Sequence, residues 1–146
     1  MTGTLTYEVR RARGEDEMSA VLALRHEVFC VEQGVPVREE VDGRDGDAMH
    51  LVAVSGADLL ATCRLLFVGP TVQFSRLAVR VSARRHGIAS ALLDLADEEA
   101  KAAGSRRLVL HAQTYARSLY EAAGYEPRGR LFMEAGIEHI AMEKYV

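Results

Sequence analysis

The chain has 146 residues, of which 49% are hydrophobic and 27% charged. This length and composition are typical of one globular domain, and the chain is too short for a TIM barrel of about 250 residues. The formal net charge is −3, whereas a nucleic-acid-binding domain usually carries a strongly basic face, so no nucleic acid partner is predicted. Apolar runs are far shorter than the roughly 20 residues needed to cross a bilayer, so no membrane partner is predicted either.

The cysteine content and the first residues predict a location. Cys30 and Cys63 are the two cysteines, too few for a framework of disulfides. The start, MTGTLTYEVR, lacks the charged and then apolar pattern of a secretory signal. We therefore expect a reducing, cytoplasmic setting.

The N-terminal segments predict a strand, a helix and an acidic loop. Alternating apolar residues at 5–9 indicate a strand. Apolar residues then recur at helical spacing over 18–29, after acidic residues at 15–17 that suit a helix N-terminus. The segment REEVDGRDGD at 38–47 is the acidic loop that follows.

The next segments predict three strands. Two apolar, β-branched runs at 50–54 and 59–67 are joined by a short connection containing glycine, which indicates a hairpin. Gly69-Pro70 breaks the chain before a further strand at 71–79.

The apolar phase changes within that last strand. Val72 and Phe74 share one parity, whereas Leu77 and Val79 share the other. A β-bulge produces such a slip. A central strand buried on both faces also fits the pattern, so both interpretations stay open at this point.

The second half predicts a strand–helix–strand unit and a C-terminal pair of strands. An amphipathic helix at 88–103 and a strand at 106–112 follow the strand at 71–79, so the two strands should be parallel. A short helix at 116–123 precedes strand-like segments at 131–133 and 137–145. The predicted fold class is α+β with a mixed sheet.

The most informative motif is the turn Arg84-Arg85-His86-Gly87-Ile88-Ala89 at the start of the second helix. The first backbone N–H groups of a helix have no intrahelical partners and can bind an anion. A glycine and a small alanine there leave room for a pyrophosphate to approach these N–H groups, and the arginines supply charge-assisted hydrogen bonds. An ordinary helix start with two solvated arginines is the alternative. Neither the Walker loop nor the G-x-G-x-x-G dinucleotide turn is present.

Five segments carry a family resemblance. R-x-x-G-x-A after a strand ending in LAV resembles the acyl-CoA signature of the GNAT N-acetyltransferase superfamily, and LHAQTYARSLYEAAGY resembles the second conserved helix of that superfamily. The segments RHEVFCVEQGVP with VDGRDGD, and EAGIEHIAMEK, resemble its ElaA-like subfamily. The resemblance extends from about residue 5 to the end of the sequence.

This resemblance implies a GNAT-like mixed central β-sheet, with a splayed parallel strand pair at 71–80 and 106–112 flanked by α-helices. It implies acetyl-CoA or coenzyme A in the opening, with the bulge beside the thioester and no metal. Strand backbone would bind the pantetheine, and the turn amides would bind the pyrophosphate. The residues that it assigns to coenzyme A are Leu77, Ala78, Val79, Arg84, Arg85, His86, Gly87, Ile88, Ala89 and Ser90.

The resemblance also implies direct transfer of the acyl group to an amine, which requires a base for the amine and an acid for the departing thiolate. Tyr120 lies where the superfamily often places the acid, although a packed core aromatic is the plain structural alternative. Glu32 is the favoured base, ahead of His111 and His139. The two cysteines are expected to be small buried hydrophobes rather than nucleophiles.

Several polar residues are candidates for binding the substrate. Arg25, His50 and Arg64 lie on otherwise apolar elements, where they would line a substrate pocket or pair with acidic residues such as Glu32 in a structural network. His111 and His139 complete the predicted substrate-binding set, although His111 could instead satisfy a polar position in the core.

The acidic loop at 38–47 has three interpretations: a solvated loop, an attractor for a cationic amine, or a metal site. Its spacing does not match the calcium-binding EF-hand. The first two interpretations stay open on sequence grounds.

We therefore predict that residues 1–146 form one acyl-CoA N-acyltransferase domain that uses acetyl-CoA on a small-molecule or peptide amine. A non-catalytic CoA-binding sensor or interaction module is the alternative, and a mononucleotide-binding protein is disfavoured because its motifs are missing. Exposed sheet edges are compatible with a homodimer. The sequence does not identify the amine.

Overall fold

The computed structural model describes residues 5–146. The strands are β1 Glu8–Arg11, β2 Met49–Ser55, β3 Asp58–Val68, β4 Thr71–Val79, β5 Arg107–Gln113, β6 Glu126–Glu134 and β7 Ile137–Tyr145. They form a seven-stranded sheet in the order β1-β2-β3-β4-β5-β7-β6. The β4–β5 pair is parallel and the other neighbouring pairs are antiparallel, as the sequence predicted for a mixed sheet.

The helices are α1 Gly14–Arg25, α2 Val37–Glu40, α3 Ile88–Ala102 and α4 Arg117–Ala122. The helix predicted over 18–29 changes character near its end, because the backbone from His26 to Glu32 is π-helical. Two main-chain bonds close this segment, from the Gln33 N–H to the Val28 carbonyl at 3.1 Å and from the Val35 N–H to the Phe29 carbonyl at 2.8 Å. No local sequence pattern predicts this widened helix. Such π-helical segments are rare and are frequently found at functional sites.

The long helix α3 connects the two parallel strands and covers one face of the sheet. Its residues buried against the sheet are Ile88, Leu92, Leu93, Ala96 and Ala100. These positions follow the helical repeat, and burial of each leucine stabilises the fold by roughly 1.5–3 kcal/mol. None of the helices described between residues 5 and 146 is long and apolar enough to span a membrane.

The phase change in β4 is a β-bulge, as one of the two sequence interpretations predicted. Thr62 of β3 lies opposite Ala78, whereas Arg64 lies opposite Ser75. One residue of β3 therefore faces two residues of β4, Arg76 and Leu77. Arg76 has a φ of 57°, in the left-handed region that an arginine rarely adopts.

The two parallel strands β4 and β5 separate just before the bulge. Their pairing joins Thr71–Gln73 of β4 to Arg107–Val109 of β5, and the bulge follows three residues later on β4. The splayed parallel pair implied by the resemblance is therefore present. The separation opens the sheet and creates the space for the site described next.

Candidate active site

A cavity of about 890 Å³ lies where β4 and β5 separate. Residues of β4 from Gln73 to Leu77 line one side, and residues of β5 from Val109 to His111 line the other. The remaining walls come from the π-helical segment, the acidic loop, the start of α3, helix α4 with the turn before it, and the β6–β7 turn. The acidic loop contributes Glu39, Glu40 and Asp42 to the lining. The cavity has the size of a small-molecule site.

The turn before α3 has the geometry of an anion-binding site. Arg85 and Gly87 both have positive φ, 65° and 76°. The first helical bond of α3 runs from the Ala91 N–H to the Gly87 carbonyl at 3.1 Å, so the N–H groups of residues 88–90 have no partner within the helix. A Cβ placed on Gly87 would meet no atom within 4 Å, which leaves open space in front of these donors. Ala89 lines the cavity directly.

Arg84 and Glu32 form an ion pair with each other across the cavity wall. The guanidinium donates to both Glu32 carboxylate oxygens, at 2.6 and 2.7 Å, and its Nε donates to the Val79 carbonyl at 3.0 Å. The hydrogen bonds from Arg84 lower the pKa of Glu32. A carboxylate held in this way is a poor proton acceptor, so the structure does not support Glu32 as the favoured base. Arg84 is likewise engaged with protein groups rather than aimed at the phosphate site.

Tyr120 lies on α4 with a ring that is 8% exposed and that lines the cavity. It packs edge-on against Phe74, with ring centroids 6.4 Å apart, and against Tyr125, with ring centroids 6.1 Å apart. Burial raises the pKa of Tyr120 well above its ordinary value, so the hydroxyl stays protonated. The ring is therefore a packed core aromatic that also lines the cavity, and its hydroxyl carries its proton.

The β5–β6–β7 wall brings together His111, Glu134 and His139, all of which line the cavity. His111 Nδ1 lies 3.1 Å from Glu134 Oε1, and His139 Nε2 lies 3.6 Å from Glu134 Oε2. Both predicted histidines thus reach the cavity. Sequence reasoning missed Glu134, which directly precedes the turn between the last two strands.

The predicted substrate-binding set must be corrected at three positions. The structure places Arg25, Arg64 and His50 outside the cavity lining. Arg25 is 1% exposed and pairs with Glu40 at 2.6 Å and Asp45 at 2.8 Å. Arg64 pairs with Asp42 and Asp45 at 2.8 and 3.0 Å. His50 Nε2 lies 2.9 Å from the Asp45 carbonyl oxygen. A buried charge is costly without a partner, and the acidic loop supplies these partners. The alternative of a structural network is the correct one, although Glu32 is outside it.

Arg76, at the bulge, is a further member of this network and was not singled out from the sequence. It pairs with Glu40 at 3.2 Å and with Asp42 at 3.3 Å, and it donates to the Glu40 carbonyl at 3.0 Å. An arginine at the phase change of an apolar strand was the signal that could have found it. We call Arg25, Arg64, Arg76, Glu40, Asp42 and Asp45 the arginine–carboxylate network.

The network shows that the acidic loop is mainly structural. Three arginines neutralise three of its carboxylates, Glu40, Asp42 and Asp45, so these charges are not free to attract an amine. Glu39, which lines the cavity, lies outside the network. No cluster of side chains suited to hold a metal ion occurs within residues 5–146.

The cysteines are not placed for nucleophilic chemistry. Cys63 is 1% exposed and Cys30 is half-buried. Burial raises the pKa of both thiols and keeps them protonated. The Gln113 side chain, near the end of β5, donates to the side-chain oxygen Oε1 of Gln33 at 2.9 Å and joins β5 to the residue that follows the π-helical segment.

A bulged strand, a parallel partner that separates from it, and a glycine turn opening the helix between them define the fold class of acyl-CoA N-acyltransferases. The acetyltransferase (GNAT) domain model matches residues 15–146, and the chain belongs to this family.

Individual relatives agree with this assignment. The chain is 32% identical, over 93% of its length and 95% of the relative, to a Bacillus subtilis protein named as an acetyltransferase. The structure of an acyl-CoA N-acyltransferase from Pseudomonas aeruginosa superposes with a TM-score of 0.84 at 32% identity, covering 96% of this chain and 99% of that one. Escherichia coli ElaA superposes with a TM-score of 0.85 at 26% identity, covering 95% and 99%. The ElaA-like resemblance is confirmed.

Proposed function

We propose that residues 1–146 form one acetyl-CoA-dependent N-acetyltransferase domain that transfers the acetyl group directly from the thioester to an amine. The observation that carries the proposal is the cavity itself, which lies between the β4 bulge and β5 and joins Tyr120 to the turn before α3. The Pseudomonas aeruginosa relative, described as an acyl-CoA N-acyltransferase, supports the same donor here.

The residues present fit coenzyme A as the donor. The open space in front of Gly87 leaves the N–H groups of residues 88–90 free to bind the pyrophosphate, and the exposed Arg85 adds a cation beside them. The backbone of Leu77, Ala78 and Val79 would pair with the pantetheine like an added strand. The side chains of Leu77 and Val79 line the cavity, whereas that of Ala78 packs into the core.

The chain's own groups would support the transfer in two ways. A backbone N–H beside the bulge would stabilise the negative charge that develops on the thioester oxygen when the amine attacks. The protonated Tyr120 would donate to the departing sulfur, whose thiolate resembles that of cysteine with a pKa of about 8.5.

Calorimetry with acetyl-CoA, followed by a thiol-release assay, tests the function. The amine panel comprises 1,4-diaminobutane, spermidine, a lysine-containing peptide, a free peptide N-terminus, 4-aminobutanoate and an aminoglycoside. We expect binding together with release of CoA thiol on at least one amine. Binding without turnover on any amine would support the non-catalytic module instead, and absence of binding would refute both.

The chain offers a matched pair of variants for the binding step. Gly87 and Gly104 flank α3 with φ of 76° and 75°, and a Cβ at either position would meet no atom within 4 Å. Gly87→Glu and Gly104→Glu therefore introduce the same left-handed strain and the same charge. We expect Gly87→Glu alone to abolish acetyl-CoA binding, since only it places a carboxylate in front of the proposed phosphate donors. Equal binding by the two variants would contradict this location.

A further inference from the structure

Three cavity-lining groups form a cluster on the β5–β6–β7 wall. Glu134 lies between two imidazoles, with one carboxylate oxygen 3.1 Å from His111 Nδ1 and the other 3.6 Å from His139 Nε2. The Phe132 ring stacks on His139 with centroids 5.8 Å apart and meets His111 edge-on at 4.9 Å. We call His111, Glu134 and His139 the histidine–glutamate cluster.

The two histidines differ in how firmly they are held. His139 is 6% exposed, and its Nδ1 lies 2.7 Å from the Ile137 carbonyl oxygen. A carbonyl only accepts, so Nδ1 carries the hydrogen and the neutral ring keeps its lone pair on Nε2. The His111 side chain, by contrast, is 55% exposed. His139 is therefore the better oriented proton acceptor.

The charges along the cavity wall point to the kind of acceptor. Arg76 and Arg84 are the arginines among the described lining residues, and both are engaged in ion pairs. Glu134 has histidines rather than an arginine as its partners. The described wall thus presents two carboxylates that have no arginine or lysine partner, Glu134 and Glu39, and no unpaired arginine or lysine. Such a wall attracts an ammonium group and offers no counter-charge to a carboxylate.

We infer that His139 is the general base of the proposed reaction, and that Glu134 draws in and orients a cationic amine that carries no carboxylate of its own. The inference rests on the proposed function and names the base and the acceptor class for it. It replaces Glu32, whose carboxylate is tied to Arg84.

The acceptor enters as an ammonium ion and gives one proton to His139 Nε2. Its nitrogen lone pair then forms the C–N bond with the acetyl carbonyl carbon, while the C–S bond breaks and its electron pair stays on sulfur. The sulfur takes the hydroxyl proton of Tyr120, which regains one from the nitrogen through solvent. The products are the amide and the CoA thiol, and His139 releases its proton to water.

His139→Gln tests the base, with His26→Gln as its matched control. His26 is exposed and lies outside the cavity lining. We expect His139→Gln to lower kcat by about 10²–10⁴-fold on the fastest amine of the panel, the range typical of general-base catalysis. Acetyl-CoA affinity should stay unchanged, and His26→Gln should retain wild-type kcat. Imidazole added to His139→Ala should restore part of the rate, which a purely structural role would not allow.

A kcat for His139→Gln within threefold of wild type would overturn the inference while leaving the proposed function standing. A wild-type protein that acetylates no amine would refute the proposed function itself. If His139→Gln fails to fold, Glu134→Gln carries the test, because the Glu134 side chain is 49% exposed and tolerates the change. That variant should raise the KM for the amine more than it lowers kcat.

A matched pair of substrates tests the acceptor class. The diamine 1,4-diaminobutane and the acid 4-aminobutanoate present the same amine on chains of similar length, ending in an ammonium and a carboxylate. We expect kcat/KM to favour the diamine by about tenfold or more, and Glu134→Gln to reduce that preference. Equal values for the two amines, or a preference for the acid, would refute the assignment of a cationic acceptor.

Discussion

Replacing Arg25 by methionine should destabilise the fold without changing the affinity for acetyl-CoA. The Arg25 side chain is 1% exposed and lies 2.6 Å from Glu40, which is itself 5% exposed. Removal of one partner of a buried ion pair typically costs about 3–5 kcal/mol, because the other charge stays buried. Here Glu40 keeps Arg76 at 3.2 Å and Asp45 keeps Arg64 at 3.0 Å, so we expect the lower end, about 3 kcal/mol.

Urea unfolding followed by circular dichroism measures this loss. For a protein of this size, about 3 kcal/mol corresponds to a Tm lower by roughly 6–12 °C. Arg38→Met is the matched control, since Arg38 is exposed, and it should leave the free energy of unfolding within about 0.5 kcal/mol of wild type. The double variant Arg25→Met with Glu40→Gln should recover part of the stability, because it removes both buried charges.

Two results would refute this reasoning. A loss below about 1 kcal/mol for Arg25→Met would mean that the buried pair does not carry the stability assigned to it. An unchanged free energy of unfolding combined with a raised KM for the amine would return Arg25 to the substrate site. Unchanged acetyl-CoA affinity is expected because Arg25 lies outside the cavity lining.

Further predictions concern the cavity and the network. Tyr120→Phe should lower kcat by about 10²-fold or more at unchanged acetyl-CoA affinity, and an unchanged turnover rate would exclude Tyr120 as the acid. Glu32→Gln should keep kcat within threefold in the thiol-release assay, and a loss of 10²-fold would restore Glu32 as the base. Hydrogen bonds from Arg64 hold the pKa of Asp42 well below its ordinary value of about 3.9. The stability that ionised Asp42 contributes to the fold is therefore fully present above about pH 3.9 and is lost as the pH falls below it. Urea unfolding of Asp42→Asn should accordingly show lower stability than wild type at pH 7 and a difference that shrinks toward pH 2.

The arginine–carboxylate network also explains how an arginine occupies the left-handed region at the bulge. Arg76 donates to the Glu40 carbonyl and pairs with the Glu40 and Asp42 carboxylates, so the loop and the bulge hold each other in place. A strained backbone persists only when its surroundings determine it, and these contacts supply that restraint. The loop therefore supports the strand that carries the bulge, and it also lines the cavity directly through Glu39, Glu40 and Asp42.

Local patterns in the sequence determined most of the elements and marked the place of the bulge. Alternation and helical spacing depend on which face of an element is buried, so the strands, α3 and the parallel pair could be predicted from them. The parity slip between Phe74 and Leu77 marked the bulge, which the register of β3 and β4 then separated from a strand buried on both faces. The glycine turn before α3 was equally local, since a helix start and its free N–H groups lie within a few residues.

Only the tertiary structure decided the partners of the charged residues. Glu32 and Arg84 are 52 residues apart, and Arg25 and Glu40 are 15 apart, yet each pair is in direct contact. Periodicity shows which face a residue occupies but not which charge lies opposite it. For that reason the sequence suggested Glu32 as an unpaired general base and Arg25 as a substrate contact, and it did not indicate Glu134. A side chain's available chemistry depends on the partner that folding brings to it, and that partner is distant in the sequence.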